Sequence, residues 1–74
     1  MLKLKRLGEK LRTLRIRHGL TMKQLAEELQ TSDAQISRVE NSQRKPSAEL
    51  VFKISQFFDV SVERLMMDEL ELDE

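Results

Sequence analysis

LTMKQLAEELQTSDAQISRVENSQRKP, residues 20–46, reads as two short helices joined by a three-residue turn, each with one narrow apolar edge and one polar edge. The first opens at Thr21, whose hydroxyl accepts from the free N–H groups of a helix start, and turns Leu25, Ala26 and Leu29 to one side at helical spacing. It ends near Gln30. The second opens at Ser32 and turns Ile36 and Val39 inward, which leaves Asp33, Ala34, Gln35, Ser37 and Arg38 on or beside the open face. Short polar side chains and one guanidinium on an exposed rod suit the major groove of double-stranded DNA, where base edges offer matching donors and acceptors.

Upstream, Leu4, Leu7, Leu11 and Leu14 recur at spacings of 3, 4 and 3, one stripe of a helix expected over residues 3–18 and ended by Gly19. The polar side of that helix is almost wholly cationic. Downstream, SQRKP (residues 42–46) is a loop, because Pro46 disfavours helical backbone in the residue before it. Ser47 caps a fourth helix with Glu49 in its first turn, where a carboxylate meets the positive end of the helix dipole. The apolar set of that helix is Leu50, Val51, Ile54, Phe57 and Phe58. Ser61 caps a fifth, which carries Val62, Leu65 and Met66. The chain divides into a helical domain, residues 1–67, and an acidic tail, DELELDE, residues 68–74. For the tail, fraying, extension of the fifth helix and pairing with another chain are the open outcomes.

At 74 residues and 39% hydrophobic content the chain makes one small all-α domain, near the size at which a single core just suffices. Without cysteine it has neither a disulfide framework nor a thiolate metal site, which fits a reducing cytoplasm. The start, MLKLKRLGEK, offers no apolar run of signal-peptide or membrane-span length, so a cytoplasmic location and no membrane partner are expected. The formal charge of zero conceals a sorted chain. Seven of residues 1–20 are Lys or Arg against Glu9, whereas residues 60–74 hold six carboxylates against Arg64. A basic end can approach phosphates while the acidic end points away or attracts a partner, so overall neutrality leaves nucleic-acid binding open.

Catalysis has little to stand on. His18 is the single histidine, at a helix end where the dipole favours it as a surface residue, and the consecutive Glu27 and Glu28 diverge. Phe57, Phe58, Met66 and Met67 read as core or interface material. With no Gly-rich phosphate loop and no metal-ligand spacing, neither enzyme activity, a cofactor nor a metal is expected.

Residues 22–39 resemble the helix-turn-helix of the phage-repressor/Cro (XRE-type) DNA-binding family, with the small Ala26 where the two helices cross and Ile36 and Val39 at core positions. RTLRIRHGLT (residues 12–21) is similar to the family's first helix and its Gly-ended exit, and RVEN (residues 38–41) to the end of its recognition helix. KPSAELVFKISQFFDVSVERLM (residues 45–66) is similar to the fourth and fifth helices, jointed at Val60 and Ser61. The resemblance covers residues 7–67 and implies a compact five-helix lambda-repressor-like domain with its helix-turn-helix at helices two and three. Two positions depart from the family pattern, Gln30 in the turn and Ser42 after the third helix, where Gly is usual; a non-Gly residue with positive φ costs on the order of 1 kcal/mol there. The resemblance further implies a shielded ion pair between Arg15 and Glu40, with a structural and positioning role. Met22 stands where many relatives have Gln, which removes a side-chain phosphate contact and keeps the backbone N–H.

With the third helix in the groove, Asp33, Ala34, Gln35, Ser37 and Arg38 are the expected base contacts. Gln bridges adenine N6 and N7, Arg bridges guanine O6 and N7, Ala meets the thymine methyl, and Asp accepts from cytosine N4. Asp33 has a competing role in stabilising the first turn of its own helix. Phosphate contacts are expected from Thr21, Met22, Lys23, Gln24, Ser32, Asn41, Gln43, Arg44 and Lys45, with an ordinary charged loop as the alternative for Arg44 and Lys45.

One recognition helix reads few base pairs, so a homodimer on palindromic half-sites about 10 base pairs apart is expected. Leu50, Val62, Met66 and Leu70 are the candidate interface, unless all four close the monomer core. The leading function is a sequence-specific transcriptional regulator, a repressor occupying promoter DNA. With no ligand-sensing segment in view, its control would come from concentration, dimerisation, a partner or proteolysis. The second reading is a protein-interaction module, an antitoxin or adaptor that grips a partner protein through its C-terminal face and acidic tail. Salt separates the two: six or more phosphate contacts predict roughly a thousandfold loss of affinity from 50 to 200 mM.

Overall fold

The apolar stripes become five helices. The computed structural model describes residues 6–72, in which α1 spans Leu7–Arg17, α2 Met22–Leu29, α3 Asp33–Glu40, α4 Ala48–Phe58 and α5 Val62–Met66, with no strand among the described residues. Four of the starts share one cause. The hydroxyls of Thr21, Ser32, Ser47 and Ser61 accept from the main-chain N–H of Gln24, Gln35, Leu50 and Arg64, at 3.0, 3.2, 3.1 and 3.1 Å, and so satisfy donors that the helix itself leaves unpaired. At Thr21 the Gln24 side-chain oxygen also accepts from the Thr21 N–H at 2.9 Å, which completes a capping box. α1 begins at Leu7, later than its leucine spacing predicts; Leu4 and the other early positions lie outside the described residues.

Four helix ends share one geometry. Gly19, Gln30, Ser42 and Asp59 have φ of 65°, 57°, 58° and 55°, all left-handed. The N–H after each reaches back over the last turn, Leu20 to Arg15, Thr31 to Ala26, Gln43 to Arg38 and Val60 to Ser55. At Gln30 and Ser42 the backbone keeps the conformation for which Gly is suited, so the turns close and the departure from the family pattern is absorbed as local strain. Asp59 is a third such position; its short polar side chain tolerates left-handed backbone better than most.

Every helix contributes to the core. Leu11 from α1, Leu25 and Leu29 from α2, Ile36 from α3, Ile54 from α4 and Leu65 from α5 are fully enclosed, and Leu7, Leu14, Ala26, Val39, Leu50, Val51 and Phe58 complete the cluster around them. α3 packs on α1 and α2, α4 on α2 and α5, and α5 returns to α1. Gly8 makes the α1–α3 approach possible. A Cβ there would collide with the carbonyl oxygen of Val39 and stand 2.6 Å from that of Glu40.

The far end of the chain departs from the sequence reading. Lys10 counts by composition among the solvated cations of α1, yet it is buried, and its ammonium donates to the carbonyl oxygens of Arg64 and Met67 at 2.5 and 2.7 Å, closing the C-terminal end of α5. Residues 68–72 neither fray nor prolong α5 but turn back over the start of α1. The Arg6 N–H donates to Asp68 Oδ1 at 3.0 Å, and its guanidinium donates to the Asp68 carbonyl at 2.6 Å and to both Glu71 carboxylate oxygens at 2.8 and 2.9 Å. Arg64 Nη1 adds a bond to the Glu71 carbonyl at 2.8 Å, and Leu72 packs against the core. The acidic segment therefore meets the basic one instead of pointing away from it, because opposite charges sorted to the two ends of a chain attract when the fold brings those ends together.

Candidate nucleic-acid interface

Ile36 and Val39 lock α3 into the core through one side, so the opposite side faces outward along its whole length. Asp33, Ala34 and Arg38 are exposed there, and Gln35 and Ser37 are half-buried on its flanks. Ser37 Oγ accepts from the Asn41 side-chain amide at 3.3 Å. Gln35 turns toward a cleft of about 250 Å³ that it lines with Arg44 and Lys45.

The expected phosphate contacts fall into groups before and after α3 in the chain. Thr21, Lys23 and Gln24 are exposed at the start of α2, and Ser32 at the start of α3; Asn41, Gln43, Arg44 and Lys45 are exposed after the end of α3. The capping box engages Thr21 and Gln24 through their oxygen acceptors, which leaves the Thr21 O–H and the Gln24 amide NH2 as donors, the kind of group an anion requires. The Met22 side chain packs against the core, so its contribution to anion binding is its first-turn N–H. The loop with Arg44 and Lys45 also borders a second cleft, shared with Leu7 and Gly8 of α1.

Behind the row stands an ion pair. Arg15 Nε donates to Glu40 Oε2 at 2.7 Å, Nη2 to Oε1 at 3.1 Å, and Nη1 to the Leu20 carbonyl at 3.0 Å. The Glu40 side chain is 1% exposed and that of Arg15 12%. The hydrogen bonds to Glu40 outweigh desolvation and hold the Arg15 guanidinium pKa above its ordinary value. Arg15 thereby fastens the exit of α3 to both α1 and the α1–α2 connection.

The four candidate interface residues do not share one environment. Leu50 is 8% exposed and part of the core, Met66 is half-buried against that core, Leu70 is half-buried, and Val62 is 41% exposed. Sequence reasoning passed over Arg6 and Lys10. Lys10 left a signal, since it lies three residues after Leu7 and four before Leu14, on the buried stripe. Among the described residues no group of three or more His, Asp or Glu side chains gathers as a metal site, and no helix is long and apolar enough to cross a membrane.

The helix-turn-helix family pattern matches residues 11–65, from the middle of α1 into α5. The chain belongs to the XRE-type helix-turn-helix family. This XRE-type domain is 42% identical over 64 residues to the propionyl-CoA carboxylase regulator of Cereibacter sphaeroides, a match covering 86% of the chain and 14% of that protein. It is 41% identical over 62 residues to the transcriptional activator BcrR of Enterococcus faecalis, covering 84% of the chain and 30% of BcrR. A helix-turn-helix transcriptional regulator of Methanocaldococcus jannaschii is 38% identical over 60 residues, covering 81% and 91%. The XRE-type domain thus spans a small part of the first two relatives and nearly all of the third. Among solved structures, the P22 c2 repressor in complex with a synthetic operator superposes with a TM-score of 0.77 at 25% identity, covering 81% of this chain and 91% of that one. The N-terminal DNA-binding domain of SinR from Bacillus subtilis gives 0.79 at 27% identity, covering 89% and 97%. BcrR and the M. jannaschii protein are transcriptional regulators, the P22 c2 protein is a repressor held on operator DNA, and the chain shares their helix-turn-helix DNA-binding fold.

Proposed function

We propose that this XRE-type domain reads a specific double-stranded DNA sequence and represses transcription by occupying operator DNA as a symmetric dimer. The observation that carries the reading is the layout around α3. One row, the exposed Asp33, Ala34 and Arg38 with the half-buried Gln35 and Ser37, is accompanied by the donors of the α2 start and by the cationic loop with Arg44 and Lys45. A groove reader needs that order, with base-reading groups between two phosphate grips that fix its register. The P22 c2 repressor, a similar fold solved in complex with a synthetic operator, supports the repressor form.

In the dimer the Val62, Met66 and Leu70 side of the C-terminal region meets a second copy, with Leu50 supporting it from within the monomer. A protein-interaction role for the acidic tail has less support, because Asp68 and Glu71 are already held by Arg6. Selection of bound duplexes from a random pool at low ionic strength tests the proposal. The expected result is an inverted repeat with half-sites about 10 base pairs apart, centre to centre. An unenriched pool overturns the DNA reading, and a single unrepeated site overturns the dimer.

A further inference from the structure

The contact between Arg6 and residues 68–72 is unlike the other ion pair of the fold. The side chains of Arg6 and Glu71 are 33% and 55% exposed, whereas those of Arg15 and Glu40 are 12% and 1%. An exposed pair is screened by water and salt and contributes little to stability, so it exchanges partners readily. Its geometry is the two-pronged fork in which a guanidinium holds a carboxylate, the arrangement by which arginine also holds phosphate. Its position matters as much. Arg6 immediately precedes Leu7 and Gly8, and these abut the exit of α3 and share a cleft with Gln43, Arg44 and Lys45. Arg6 therefore directly precedes, in the chain, the two α1 residues that border the cationic loop to which phosphate contacts are assigned.

We infer that residues 68–72 are a self-inhibitory strap, in which the Glu71 carboxylate occupies Arg6 in place of a DNA phosphodiester. The inference rests on the DNA-binding reading proposed above. Apart from that pair the segment is held by the Arg6 bonds to Asp68, the Arg64 bond to the Glu71 carbonyl and Leu72 on the core, and two features limit what its displacement disturbs. Lys10 is buried on the carbonyls of Arg64 and Met67, which keeps α5 in place when the strap lifts. Beyond Met66 the chain is no longer helical, so moving residues 68–72 breaks no helical turn. Duplex DNA brings a dense row of phosphates and competes for Arg6, and the strap carboxylates lower the affinity for every sequence alike, since a backbone contact carries no base information.

The test uses the full chain and its Glu71→Gln variant, titrated over a series of salt concentrations against a duplex taken from the selection and against a scrambled one, with melting curves recorded alongside. Freed from its carboxylate, Arg6 adds one phosphate contact. The expected result is severalfold tighter binding of both duplexes at low salt and a steeper salt dependence, the slope of log affinity against log salt growing by about 1. Adding Arg6→Ala to Glu71→Gln should cancel the gain. Wild-type binding with a slope that Glu71→Gln leaves unmoved overturns the strap alone. A Glu71→Gln chain without a cooperative melt also overturns it, because the segment would then be part of the core and not a displaceable ligand. A wild-type chain that binds neither duplex at low salt removes the regulator reading and the strap with it.

Discussion

Arg15 and Glu40, 25 positions apart, are joined by two charge-assisted hydrogen bonds of 2.7 and 3.1 Å that fasten the exit of α3 to the last turns of α1. The carboxylate is almost wholly out of water, so its charge is tolerable only while the guanidinium stays. The pair also spans the helix-turn-helix, because Arg15 holds the Leu20 carbonyl just ahead of α2. Position of α3 and integrity of the fold thus depend on one contact.

Removing one partner should be far worse than removing both. Arg15→Met or Glu40→Leu is expected to lower stability by about 3–5 kcal/mol, a large share of the 5–15 kcal/mol typical of a small domain. The double variant Arg15→Met/Glu40→Leu should recover most of that loss, since no buried charge is left unpaired. Urea unfolding of the four proteins gives the coupling energy directly. Additive losses would show that the pair is not shielded.

Lys10 should make the protein more stable as the solution becomes alkaline. Burial, followed by repulsion from Arg6, pushes its pKa below the ordinary lysine value. Between that lowered value and about 10.4, where an unfolded lysine titrates, the unfolded chain binds more protons than the folded one, so unfolding becomes harder as pH rises through the window. The chain contains no Tyr or Cys to confuse the measurement. Chemical denaturation from pH 8 upward should show this rise in the wild type and lack it in Lys10→Met.

The left-handed helix ends give a stability series of the opposite sign. Replacing Gln30, Ser42 or Asp59 by Gly relieves a strained φ and is expected to stabilise by about 0.5–1 kcal/mol each. For a domain of this size that is a rise of several degrees in Tm. Gly19→Ala should do the reverse. Gly8→Ala should be more damaging, by about 3 kcal/mol, because the added methyl meets main-chain oxygens that cannot step aside.

Two arginines near α3 should separate in their effect on DNA. Arg38→Ala, on the exposed row of α3, is expected to cost about 1–3 kcal/mol on the preferred duplex and to relax preference at one base position. Arg44→Ala, in the loop, should weaken preferred and scrambled duplexes alike and reduce the salt slope by about 1. Equal losses on both duplexes for both variants would take Arg38 out of the groove.

The helices were legible where their causes are local. The hydroxyls of Thr21, Ser32, Ser47 and Ser61 each sit three residues before the N–H they accept from, and the stripes of Leu25 with Leu29 and of Ile36 with Val39 follow one helical turn. Asp59 was harder to read, because a left-handed aspartate looks like any polar loop residue until its φ is known. The tail was not legible at all. Its partner Arg6 lies 62 to 65 positions away, and no periodicity connects residues across such a distance. For the candidate interface, sequence sorted α3 residues by face, while the degree to which Gln35 and Ser37 are covered depends on the loop and on Asn41.

Because Arg6 and Glu71 clasp one another, the described stretch from residue 6 to residue 72 runs as a nearly closed ring. A short peptide would suffice to join residue 72 to residue 6, and new termini could then be cut at the exposed Asp59 connection without parting any helix. The same adjacency lets such a module be spliced into a surface loop of a host protein through two neighbouring junctions, with α3 undisturbed.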